Sequence, residues 1–198
     1  MRPTNPLIMK KHIYKHCIVI LLCSVMLLTP ILGYGQDPSL VNIIVTNTRD
    51  NLLLYLTVKD AFPPEIEATL QSGVPVTFSF LINLLRVRGF WLDKELTDIK
   101  VTHSLKYDNL KKEYSVIRSW EVGKTHVVKS FEEAKKLMTE VDSLVIISLD
   151  QLEKGKQYQI QTKAELSKVT LPFYLHYVLF FVSLWDFETD WYTVDFIY

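Results

Sequence analysis

From Val74 to Leu84 the chain reads VPVTFSFLINL, an alternation with period two. Val74, Val76, Phe78, Phe80, Ile82 and Leu84 share one parity, while Pro75, Thr77, Ser79 and Asn83 share the other. Successive side chains of a strand point to opposite faces, so this stretch predicts a long strand with one apolar face. Leu81 and Leu85 interrupt the polar parity, which predicts cover on both faces at the far end, before Arg86 and Arg88 return the chain to water. The stretch just before it is helical in character. Pro63 and Pro64 preset a first helical turn, where a missing N–H costs nothing. Glu65 and Glu67 place negative charge at its positive end, Ile66 and Leu70 form its apolar stripe, and Gly73 supplies the left-handed stop.

The rest of the chain reads as strands laid beside that one. Leu40–Thr46 and Leu52–Val58 are apolar strands joined by the turn-rich Asn47-Thr48-Arg49-Asp50-Asn51. Asp98 to Tyr107 alternates without a fault, with Ile99, Val101, His103, Leu105 and Tyr107 inward, and a hairpin returns through Tyr114, Val116 and Trp120. Between the long strand and this one lies a connection, Gly89 to Lys94, that carries Phe90 and Trp91. Ser130-Phe131-Glu132-Glu133 has the spacing of a capping box opening a second helix. Ser143–Leu149 reads as a further strand, and Tyr158–Leu166 alternates as cleanly as the hairpin. Neighbouring hairpins with two or three short helices predict an antiparallel, β-rich α+β single domain, either a curved sheet closed over by helices or a partly closed barrel.

The chain has 198 residues, enough for one domain with a real core. Lysine plus arginine equal aspartate plus glutamate at 22 each, so there is no electrostatic case for nucleic acid. That balance hides an asymmetry. Residues 1–35 carry Arg2, Lys10, Lys11 and Lys15 and no acid; taking these four from 22 leaves 18 bases against 22 acids, a net of −4 for residues 36–198. The basic end is followed by the charge-free run Cys17–Leu32 and by Gly33-Tyr34-Gly35, the pattern of a signal peptide cleaved after Gly35 or of an uncleaved N-terminal membrane anchor. Either way residues 36–198 are expected outside the cytoplasm, periplasmic, with the basic end left inside. Both cysteines, Cys17 and Cys23, belong to the first segment, so the domain has no disulfide to form.

Motifs for chemistry are scarce. Gly123-Lys124-Thr125 has the tail of a phosphate-binding loop, but Arg118 stands where that loop needs its first glycine, so no nucleotide is expected. His103, on an inward face, is expected to be a core histidine, and His126, in a polar connection, to be solvated. His176 near Asp186, Glu188 and Asp190 lacks a metal-ligand spacing, and the carboxylates read as a solvated rim. Arg118 shares parity with Val116 and Trp120; it is expected to snorkel out at an edge, and otherwise needs a carboxylate or an anionic ligand. Leu171 to Tyr198 holds 11 of the 24 aromatic residues, so this segment is the main functional lead. Core filling is the expectation for it, with a membrane-interface belt or an apolar pocket as alternatives. Tyr174, Tyr177, Phe180, Phe181 and Trp185, with Arg118, are the candidate ligand or membrane contacts. No catalytic, cofactor-binding or metal residue is nominated, and no cofactor is expected.

Several stretches together resemble a known family. They are Leu70-Gln71-Ser72-Gly73-Val74-Pro75 entering the long strand, Arg86-Val87-Arg88-Gly89-Phe90-Trp91 leaving it, Leu105-Lys106-Tyr107-Asp108 with Tyr114, Lys129-Ser130-Phe131, and Tyr158 through Leu171-Pro172 to the tryptophan-rich end. With the export signal, these resemble the bacterial exported "domain of unknown function 4390" family over Leu40–Tyr198. The resemblance implies an envelope location and carries no catalytic residue. The expectation is therefore a non-enzymatic interaction or structural module on the periplasmic side of the inner membrane, its partner a membrane surface or an envelope protein. The alternative is a carrier or sensor holding a hydrophobic, lipid-like ligand in the concave sheet.

Overall fold

A computed structural model describes residues 37–166 and 188–198. The export segment and the aromatic candidates Tyr174, Tyr177, Phe180, Phe181 and Trp185 lie outside the described residues. So do His176 and Asp186. In chain order the elements are β1 (Ser39–Asn47), β2 (Asn51–Lys59), α1 (Pro64–Gln71), β3 (Val76–Arg86), β4 (Lys94–Asp108), β5 (Glu113–Arg118), β6 (Thr125–Val128), α2 (Phe131–Thr139), β7 (Glu140–Ser148), β8 (Gln157–Leu166) and β9 (Tyr192–Ile197). The fold is β-rich, antiparallel and α+β.

The described strands form two sheets that do not close into a barrel. One has the order β1-β2-β7 and the other β6-β5-β4-β3-β8-β9. The period-two stretch is thus β3, in the middle of the larger sheet, paired with β4 from Val76↔Leu105 to Arg86↔Lys94 and with β8 from Phe78↔Leu166 to Arg86↔Tyr158. Two antiparallel neighbours satisfy its backbone on both edges. The separate three-stranded layer was not legible beforehand, because β7 follows α2 in sequence yet pairs with β2, far behind it in the chain. The short β6, pairing with β5, falls in what reads as a polar connection.

One core joins the layers. Leu54 and Leu56 of β2, Phe78, Phe80, Ile82 and Leu84 of β3, Leu105 of β4, and Tyr158 and Ile160 of β8 are all buried in it. Those of β3, β4 and β8 keep the inward parity that alternation predicts. Ile66 and Leu70 bury the stripe of α1, and Gly73, at φ +83°, ends it in the left-handed region, with its N–H donating to Leu70 O at 2.8 Å. Phe62 carries the packing across to the second helix, its ring 5.4 Å from Phe78 and 5.8 Å from Phe131. Helix α2 buries Ala134 and Met138. Ser130 is its N-cap by backbone position, but its hydroxyl makes no cap bond, so the capping-box reciprocity is not formed.

Candidate functional site

A closely bonded polar group lies where the C-terminal end of α2 meets β4 and β5. The last carbonyls of a helix have no partner within it. Here two of them are taken by side chains of the large sheet. His103 of β4, fully buried, contacts Met138 O through Nδ1 at 2.7 Å. Arg118 of β5, the cross-strand partner of His103, donates to Leu137 O from Nε at 3.1 Å and from Nη2 at 2.9 Å. A cation at this end also meets the negative pole of the helix dipole. The Arg118 guanidinium lies 5.8 Å from the ring of Trp120, and that ring is 4.7 Å from the His103 imidazole, which Phe80 approaches at 4.6 Å on its own account.

Glu121 closes the group. Its Oε1 accepts from Arg118 Nη1 at 3.2 Å, and its Oε2 accepts from Lys124 at 3.1 Å and His126 Nε2 at 2.7 Å. Partial burial alone would raise this carboxyl, but hydrogen bonds from His126, Lys124 and Arg118 outweigh it and hold the pKa at about 2. For His103 the order is reversed. Burial dominates and takes the imidazole down to about 3, against the opposing pull of the Met138 carbonyl, and the nearby Arg118 charge lowers it further. A carbonyl can only accept, so Nδ1 carries the hydrogen and Nε2 is the bare nitrogen; it has no hydrogen-bond partner among the described residues.

This arrangement corrects two expectations. Arg118 does not snorkel: its side chain is only 8% exposed, and its donors are engaged by Leu137 O and Glu121. An arginine that faces the core as the last residue of its strand finds its carboxylate within the turn that follows, and Glu121 is three residues on. Nor is His126 solvated, because β6 brings it back beside β5 and onto Glu121. His103 is the core histidine expected. The chemistry of the cluster is that of a clamp, with two sheet residues holding a helix end and a carboxylate neutralising the buried cation.

Elsewhere, Glu188 pairs with Lys163 at 2.7 Å and is half exposed. Among the described residues no group of three or more histidine, cysteine, aspartate or glutamate side chains is placed to hold a metal ion. None of their helices is long and apolar enough to cross a membrane. A family model described as "Domain of unknown function (DUF4390)" matches residues 35–195. The chain belongs to this family. Comparison with curated proteins and with solved structures found no match. In this DUF4390 chain the cluster residue that sequence reasoning passed over is Glu121; Trp120 was placed on the inward face but given no role. The usable signal was the three-residue spacing of Arg118 and Glu121, which a turn closes with Glu121 N–H donating to Arg118 O at 3.1 Å. A second omission is the connection after β3, where Phe90, Trp91 and Leu92 are 99%, 81% and 92% exposed.

Proposed function

We propose that the protein is a non-enzymatic interaction module of the cell envelope, working at the periplasmic face of the inner membrane, to which residues 1–35 deliver or tether it. One observation carries the non-enzymatic part. The titratable groups nearest to a catalytic constellation, His103, Arg118, Glu121 and His126, face one another and a helix end. Catalytic groups need a reacting atom within hydrogen-bond reach and a protonation state matched to the working pH. A histidine at about 3, buried between Phe80 and Trp120, and a carboxylate at about 2, engaged by Arg118, Lys124 and His126, supply neither.

The filled interior supports a module over a carrier. The inner face of the large sheet is occupied by its own side chains, Phe78, Phe80, Ile82, Leu84 and Ile160 among them, at full burial. Mass spectrometry of an organic extract of the purified protein tests this: the module emerges without stoichiometric lipid, and a reproducible one-to-one lipid would establish the carrier instead. Location is tested with alkaline phosphatase fused after Tyr198, which is active only outside the cytoplasm. Activity that survives Lys10, Lys11 and Lys15 all changed to glutamate would remove the basis for assigning export to residues 1–35.

A further inference from the structure

The turn between β3 and β4 presents Phe90, Trp91 and Leu92 in succession, almost wholly in water. Scattered exposed apolar side chains are ordinary, but three in a row, two of them aromatic, form a patch that folding alone does not require. The turn that carries them is braced. Val87 N–H donates to Gln157 O of β8 at 3.0 Å, and Arg88 N–H donates to Asp93 Oδ1 at 2.9 Å, closing the loop across its neck. Arg88 and Lys94, both exposed, stand on either side of the apolar triplet, with the exposed acids Asp93 and Glu95 next to Lys94. At the base of the loop, Arg86 is engaged by Glu153.

We propose that this hairpin tip docks on a lipid bilayer, with Phe90, Trp91 and Leu92 entering the interfacial layer and Arg88 and Lys94 meeting anionic headgroup phosphates. Size and shape favour lipid over a protein. A stable protein interface buries about 800 Å² on each partner, and aromatic side chains of about 150–250 Å² each leave a three-residue tip short of that. A convex tip also needs a complementary pocket on a protein, whereas a bilayer yields to it. Tryptophan and phenylalanine settle at headgroup level, and basic residues flanking them match the negative lipid surface. The inference rests on the membrane-proximal reading above. It can nevertheless fail while export stands, because vesicle binding in vitro does not depend on export.

The test uses residues 36–198, whose described part has its own hydrophobic core. Co-sedimentation is measured with phosphatidylcholine vesicles and with mixed phosphatidylcholine–phosphatidylglycerol vesicles. The Phe90→Ser, Trp91→Ser pair is expected to weaken binding to mixed vesicles at least about tenfold. Arg88→Gln with Lys94→Gln is expected to weaken it by about fivefold or more on mixed vesicles and little on phosphatidylcholine alone. Leu110→Ser, equally exposed in the β4–β5 turn, is the control and should change nothing. All these positions are exposed, so thermal unfolding should stay as in the wild type. The proposal is overturned if the wild type does not sediment with vesicles, if the serine pair binds as well as wild type, or if Leu110→Ser loses as much. It is also overturned if the tip residues prove to hold a concentration-dependent dimer while vesicle binding ignores them.

Discussion

Changing His103 to asparagine should flatten the dependence of stability on pH below neutrality. Asparagine offers an amide N–H about where Nδ1–H of the imidazole reaches Met138 O, but it has no proton to gain. In the wild type the folded value of about 3 lies below the ordinary 6.5, with burial as its main cause. Between those values the unfolded chain binds the proton and the folded chain does not, so stability rises with pH across the window. The contribution is complete above about 6.5 and is lost progressively as pH falls toward about 3. Each pH unit below the unfolded value removes roughly 1.4 kcal/mol, so near pH 5 the loss from this one group is about 2 kcal/mol. Glu121 moves in the same direction, but its window lies between 4.5 and about 2, below that range. The assay is urea unfolding of residues 36–198 at about pH 8, 6.5 and 5 and constant ionic strength, comparing slopes rather than absolute stabilities. Asparagine leaves part of the space between Phe80 and Trp120 empty, which lowers stability at every pH without adding a slope. Parallel pH profiles for wild type and variant would show that the imidazole is not buried in its neutral form.

Two further substitutions probe the ends of α2. Arg118→Met keeps the aliphatic bulk but strands Leu137 O, which should cost about 2 kcal/mol in the same unfolding assay. The cost stays below the roughly 3–5 kcal/mol of an abandoned buried charge, because Glu121 keeps Lys124 and His126; a loss under about 0.5 kcal/mol would mean the clamp contributes nothing. Ser130→Ala should cost well under the ~1 kcal/mol typical of an N-cap, since the hydroxyl makes no cap bond; a loss of that full size would show that the cap forms in solution.

What could be read from the sequence was whatever depended on neighbours along the chain. The inward parity of β3, β4 and β8 follows from alternation, and the end of α1 follows from one glycine. The pairing of β2 with β7 did not follow, because it joins residues such as Leu52 and Ile147 that only the completed core brings together. The clamp was half legible for the same reason. His103 could be assigned to the core from parity alone, whereas the fate of Arg118 depended on a carboxylate three residues on and on something invisible locally, a helix end arriving from α2. The Ser130 motif failed in the opposite sense. Its spacing was right, but the hydroxyl does not take up the bond the spacing permits.

The clamp and the apolar tip occupy different ends of the same sheet, and this separates stability from docking. Along β4, Lys94 adjoins the tip and His103 belongs to the clamp; nine residues at about 3.4 Å each put roughly 30 Å between them. Sites that far apart with no shared partner are expected to act additively, within about 0.5 kcal/mol. His103→Asn should therefore leave vesicle affinity where it was, and Phe90→Ser with Trp91→Ser should leave the pH slope intact. Vesicles add a second check, because a ligand that binds only the folded state raises the unfolding midpoint by mass action. That rise should appear in the wild type and in His103→Asn and vanish in the tip variant. Should His103→Asn abolish it as well, β4 would be transmitting the state of the clamp to the tip, and the two ends could no longer be treated as independent.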